Sequence, residues 1–193
     1  MKAKRYIEHL NPTLWRTCRS LANRQRLRIF RFLLKHPGST VSSVAAELSL
    51  SLPMASIYLR ALNARGVLSV QRIGRFVEYS VSPDPSIPEA PLLVEALIRS
   101  FCDHQMMIQT VFRHLTGFTH PRRVQIISVL ARSDGITFAG LRQLTSIPED
   151  ALRRHLSKLT RRGLVQHTKN GYYCTHPATT LPKTLISIAS KKG

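Results

Sequence analysis

Two stretches of the chain carry the residue types that could do chemistry. In the first, Ser51, Pro53, Met54, Ser56 and Tyr58 precede Arg60, and Arg72 and Arg75 follow on either side of Gly74. In the second, Arg153, Arg154, His155 and Lys158 are followed by Lys169. Guanidinium and ammonium groups at this density suit phosphate oxygens, and an arginine or a hydroxyl can also meet the edge of a base. Glu149 and Asp150 head the second stretch. There they favour a helix dipole but repel phosphate. Weak contact by that stretch, a carboxylate reading cytosine and a mainly supporting role all stay open.

Other chemistry finds less support. Cys102, Asp103, His104 and His114 are the cluster of metal-type ligands in the sequence, and helical spacing does not bring them to one face. Cys18, Cys102 and Cys174 form no CxxC pair. That pattern fits free thiols in a reducing compartment, with Cys18 and Cys102 read as buried packing groups. GxSxG, HExxH and phosphate-loop motifs are absent from the sequence. The expectation is a protein with no catalytic residues, no metal and no cofactor.

The 193 residues include 29 Lys and Arg against 10 Asp and Glu, a formal charge of +19. The excess is +8 in residues 1–97 and +11 in the remainder, so it is not one basic tail. Such a field points to a polyanionic partner rather than to solubility alone. No apolar run approaches the roughly 18 residues that a membrane helix needs. The basic N-terminal stretch MKAKRYIEHL lacks an apolar signal core. The sequence therefore reads as cytoplasmic, with no membrane partner.

The basic clusters must be held by a scaffold, and the sequence writes that scaffold twice. An ungapped shift of 97 residues pairs Arg26 with Arg123, Ile29 with Ile126, Leu33 with Leu130, Gly38 with Gly135 and Thr40 with Thr137. It also pairs Leu59 with Leu156, Leu62 with Leu159, Gly66 with Gly163 and Gly74 with Gly171. A fixed shift over a domain length marks an internal duplication. Gly66 and Gly163 fall where helices stop, and Gly74 and Gly171 where hairpins are expected to turn.

In chain order, residues 1–10 read as a basic arm. Asn11 and Pro12 open a helix with Leu14, Trp15, Cys18 and Leu21 on one face, Trp15 serving as core or interface packing. Asn23 caps a helix over residues 24–36, Thr40 a short one, and Ser51 another over 52–65. In that last helix Met54, Ile57, Leu59 and Leu62 are the apolar positions, and strands follow at 67–72 and 76–81. Residues 83–91 hold four prolines and form a connector. A long central helix is expected over 92–115, with an apolar stripe wide enough to pack between the halves and to face another chain. The second half repeats the plan, with helices at 121–132, 137–144 and 148–162, strands at 165–168 and 172–175, and a last helix at 181–190.

The string SLANRQRLRIFRFLL, followed by SSVAAELSLSLPMASIYLRALNARGVLSVQRIGRFVEYSV, resembles the ArsR type of winged helix-turn-helix regulator over about residues 20–82. The stretch HPRRVQIISVL through RRHLSKLTRRGLVQHTKNGYYCT is similar over about 120–176, and Arg154-His155-Leu156 matches a frequent feature of the family's recognition helix. The resemblance implies a mainly α fold with small β-hairpin wings. Two tandem winged helix-turn-helix domains, residues 1–83 and 119–193, would be joined over 84–118 by the connector and the long central helix. It implies a DNA-binding transcriptional regulator whose partner is double-stranded DNA. The second helix of each motif would lie in the major groove, with the wing on the adjacent backbone.

The implied contacts are Ser51, Pro53, Met54, Ser56, Tyr58 and Arg60 on the first recognition helix and Arg72 and Arg75 on its wing. In the second unit they are Arg153, Arg154, His155, Lys158 and Lys169. Tyr58 stands where the family often has His. Family members are usually homodimers. Here both units lie in one chain, a covalent pseudo-dimer, with the central helix doing the work of the family's dimer-forming helices and leaving room for a homodimer through its stripe. Many relatives sense metals through paired cysteines on the helix before the recognition helix. This chain has Ala45, Ala46, Glu47, Leu48 and Ser49 there. The competing expectation is a basic scaffold module that binds RNA or a protein partner and never reads duplex DNA by sequence.

Overall fold

Helix starts follow the polar residues that can hold them. In the computed structural model, which describes residues 13–191, α1 (Leu14–Leu21) is followed by α2 (Arg24–Lys35), where Asn23 accepts from the Arg26 amide at 3.0 Å. Thr40 accepts from the Ser43 amide at 3.2 Å and opens α3 (Val41–Glu47). Ser51 accepts from the Met54 amide at 3.4 Å and opens α4 (Leu52–Asn63), with Pro53 in its first turn. Each cap satisfies an amide that a helix start would leave orphaned. The expected basic arm and the Asn11-Pro12 helix start lie outside the described residues, as does Lys192.

A three-stranded antiparallel sheet completes this half, in the order β1-β3-β2: β1 (Ser39–Thr40), β2 (Leu68–Ile73) and β3 (Phe76–Val81). Gly74 and Arg75 form the two-residue turn between β2 and β3, and φ of 60° at Gly74 fits the mirror-image turn that short hairpins need.

After the proline connector come α5 (Ala90–Cys102) and α6 (Ile108–Gly117). The single long helix expected over 92–115 is therefore two helices. The chain leaves α5 after Asp103, passes Gln105 in the left-handed region at φ 45°, and restarts behind Met107. α5 packs chiefly on the C-terminal helix α10 (Thr180–Ser190), while α6 packs on α1 and α2 and also meets α10. Leu93, Val94, Ala96, Leu97, Phe101, Val111 and Leu115 are consumed in the core of this one chain.

The second half runs α7 (Pro121–Leu130), α8 (Phe138–Thr145) and α9 (Glu149–Thr160), then β4 (Val165–Thr168) and β5 (Gly171–Cys174). His120 Nδ1 accepts from the Arg122 amide at 3.1 Å and Thr137 from the Gly140 amide at 3.2 Å, capping α7 and α8. Backbone conformation repeats along with element order. Gly38 and Gly135 (φ 75° and 105°), Ser49 and Ser146 (both 53°), and Gly66 and Gly163 (66° and 70°) are left-handed at a spacing of 97. A serine in that region costs roughly 1–2 kcal/mol, and here it turns the chain between α3 and α4 and again between α8 and α9.

The repeat breaks at the second hairpin. Ser39 faces Tyr79 and Leu68 faces Val81; in the second half Ile136 bridges Tyr172 and Val165 faces Cys174. Tyr172 and Cys174 lie 93 positions after their counterparts, so the second hairpin is four residues shorter at its tip. Gly171 therefore does not sit in the turn, which is Lys169-Asn170; it begins β5 at the place of Glu78. One packing expectation also changes: Cys18 is buried, but Cys102 is exposed. Trp15 is half-buried beside the Arg16 guanidinium, 5.2 Å from its ring.

Candidate nucleic-acid interface

The inner face of α4 is set by Ala55, Leu59 and Leu62, all buried against the body. That leaves Ser51, Pro53, Met54 and Arg60 on the exposed side, with Ser56 half-buried and its carbonyl accepting from Arg60 Nε at 3.4 Å. Tyr58 does not join them: it is half-buried and lies under the Arg26 guanidinium of α2, 5.7 Å from the ring centre. Arg72 and Arg75 are exposed at the end of the β2-β3 hairpin, Arg75 packing over Phe76 at 5.0 Å. The hairpin is braced at its base, where the Gly38 amide donates to the Tyr79 carbonyl at 3.1 Å.

Sequence reasoning missed an apolar component of this face. Leu52 is 57% exposed, Ile57 49%, and on the hairpin Val70, Ile73 and Phe76 are comparably open. The signal was available for Ile57. At 100° per residue it lies about 200° from both Ala55 and Leu59, on the far side of the helix from the core. The helix thus exposes hydroxyls and apolar groups beside Arg60, and the hairpin exposes apolar groups beside Arg72 and Arg75. Apolar side chains on such a surface can contact thymine methyls, and the guanidiniums can take phosphates or guanine edges.

The second half is arranged differently. No side chain caps α9, which begins with Glu149 and Asp150. Glu149 holds Arg153 at 2.7 Å and Arg142 at 3.3 Å, and Arg153 also lies 4.5 Å from the Phe138 ring centre. Arg153, then Arg142, keep the Glu149 carboxyl below its ordinary pKa. Arg153 is therefore tied back to α8, while Arg154 and Lys158 on α9 and Lys169 at the hairpin tip are exposed. The four residues missing from that tip leave Lys169 alone where the first hairpin carries Arg72 and Arg75.

Releasing Arg142 and Arg153 is a direct test of this pairing. Glu149→Gln is expected to raise affinity for any duplex and to steepen its dependence on log salt by about one to two units. It should change the melting temperature little, since exposed ion pairs stabilise weakly. A salt slope equal to the parent's would place α9 clear of nucleic acid.

His155 is turned inward like Tyr58. It packs on His120 at 4.6 Å between ring centres, its Nδ1 is buried without a hydrogen-bond partner, and its pKa is lowered to about 4. Burial is the main cause, followed by His120, Arg123, Arg122 and Lys158. The folded state thus binds fewer protons at this site than the unfolded chain. Its contribution is full above about pH 6.5 and is lost as pH falls toward about 4. The melting temperature should therefore drop between pH 7 and pH 4.5, and less so in His155→Phe; superimposable curves would refute the assignment.

Arg19 on α1 lies close enough to lower the pKa of His120, as do Arg123, Arg122 and Lys158, with burial the largest cause. Cations of α1, α7 and α9 therefore all act on His120. Among the described residues, no three His, Cys, Asp or Glu side chains gather as a metal site would need. None of the described helices is long and apolar enough to cross a membrane. No family model and no curated protein matches the chain.

Proposed function

We propose that the protein is a DNA-binding transcriptional regulator of the ArsR-like winged helix-turn-helix type, built as two tandem units in one chain. In this reading α4 and α9 are the recognition helices and the two hairpins are the wings. The observation that carries it is reciprocal packing between the halves. α1 packs on α6 and α5 on α10, while α2 reaches α6 and α1 reaches α7. Equivalent surfaces meeting in both directions are what a two-fold dimer presents. The matched left-handed residues support the same duplication. A pseudo-two-fold body would offer α4 and α9 to two half-sites one turn of duplex apart, roughly 34–36 Å.

The two half-sites would not be equal. The first unit brings Arg60, Arg72, Arg75 and an open apolar helix face, whereas the second brings a short hairpin and a helix start with two carboxylates. Selection from random duplexes, followed by a salt titration of the winner, tests the proposal. The expected product is one strongly specified half-site beside a weakly specified one, bound with a steep salt slope.

One observation favours the second reading, a basic scaffold that binds a protein partner or RNA. Leu52, Met54 and Ile57 on α4 and Val70, Ile73 and Phe76 on the hairpin are exposed apolar side chains, and exposed apolar surface is what protein interaction sites use. Equal binding to all duplexes, or preference for RNA, would support it over the first.

A further inference from the structure

We propose, resting on the duplex-binding reading above, that the hairpin of the first unit ends in an apolar wedge. Ile73 and Phe76 enter the minor groove beside the strong half-site and kink the duplex there.

Ile73 and Phe76 are the last cross-strand pair before the two-residue turn, and each is 49% exposed. Residues paired across two strands share a face, and faces alternate along each strand. Leu68 and Tyr79 are buried and lie on the opposite face. The pair therefore points away from the body, with only Gly74 and Arg75 beyond it. Two large apolar side chains meet water side by side at the end of the hairpin.

Their surroundings say what kind of partner covers them. The Arg75 guanidinium lies 5.0 Å from the centre of the Phe76 ring, and Arg72 precedes Ile73 on β2. Glu78 is the one acid of β2 and β3, and its carboxylate lies close to Gly38 at the base of the sheet. An apolar tip flanked by cations, with the acid held away, complements a polyanion that has an apolar interior. A base stack between two phosphate backbones is such a partner, and an uncharged protein surface is not.

The strands of a hairpin lie about 4.8 Å apart, and the minor groove of a B-form duplex is about 6 Å wide. A ribbon with side chains on its faces is too thick for that groove until the groove opens. Apolar side chains pushed into a base step unstack it and bend the duplex toward the major groove, which opens the minor groove. Arg72 and Arg75 then reach the phosphates beside it. Steps of pyrimidine followed by purine yield most readily, so the duplex selected by the protein should carry one beside the strong half-site. The second unit has no such tip. Thr168 and Gly171 flank its turn of Lys169 and Asn170, so the kink falls on one side only.

The test uses the full chain and the duplex it selects from random sequence, with a dye at each end and 2-aminopurine at the step beside the strong half-site. Affinity is measured separately by gel shift. Binding should bend the duplex by about 20–90°, read as increased energy transfer, and raise 2-aminopurine fluorescence as the step unstacks. The Ile73→Thr, Phe76→Thr double variant keeps strand-forming residues and every cation. It should melt close to the parent, bind about tenfold more weakly with the parent's salt slope, and lose both signals. Val70→Thr, on the other face of the same strand, should keep them. Tight binding to a duplex that stays straight, or a double variant that bends it as the parent does, would overturn the wedge alone. Binding to no duplex would overturn the underlying reading as well. A chain that self-associates in solution, and no longer does so in the double variant, would give the pair to a second copy and also overturn the wedge.

Discussion

Replacing Arg72 and Arg75 together by alanine is expected to flatten the dependence of duplex affinity on log salt by about two units. Each phosphate contact releases close to one counterion, so two lost contacts weaken binding about fiftyfold near 0.1 M salt and far less toward 1 M. Both side chains are exposed at the end of a hairpin of two six-residue strands. Their removal should leave the melting temperature unchanged, which separates a lost contact from a lost fold. The second hairpin offers only Lys169 at its tip, so Lys169→Ala should change the slope by about one unit at most. An unaltered slope in the arginine double variant would refute the wing assignment.

Gly171→Ala is expected to be the more damaging of two glycine substitutions that look equivalent in sequence. A Cβ at Gly171 would stand 2.7 Å from the Ile136 carbonyl oxygen and 2.8 Å from its carbon, at a φ of 126°. Both neighbours are backbone and cannot swing aside. The paired hydrogen bonds between Ile136 and Tyr172, 3.0 and 2.8 Å, would have to open, and these join the second hairpin to the body. A loss of about 2–4 kcal/mol in urea unfolding follows from strain plus a broken bridge. Around Gly74 a Cβ would meet nothing within 4 Å, so Gly74→Ala should cost only the left-handed backbone term, about 1–2 kcal/mol. Equal losses would contradict the register described above.

That pair shows where sequence reading succeeded and where it failed. Helix starts at Asn23, Thr40, Ser51 and Thr137 were legible because capping is local: one oxygen and one amide two or three residues on. The 97-residue shift was legible because caps, stops and inner leucines moved together. It misled at Gly171, where a chance identity hid a four-residue shortening that strand pairing alone reveals. The break between α5 and α6, at Asp103, His104 and Gln105, carried no proline or glycine signal, and only α6 goes on to pack against α1 and α2.

Of the site residues, those on α4 came from the family resemblance, which says nothing of what neighbouring elements contribute in this chain. Tyr58 and His155 turn inward because α2 and α7 supply Arg26 and His120 to cover them. The tie between Glu149 and Arg153 was open to sequence, being an i, i+4 pair, whereas Arg142 joins it only through the fold.

Hydroxyl-radical footprinting of the selected duplex, at one chain per duplex, is the most direct measurement. Two protected stretches centred about 10 base pairs apart are expected, the stronger shrinking in the Arg72→Ala, Arg75→Ala variant. A single protected stretch from one chain, or protection that does not depend on sequence, would contradict twin recognition helices on one polypeptide.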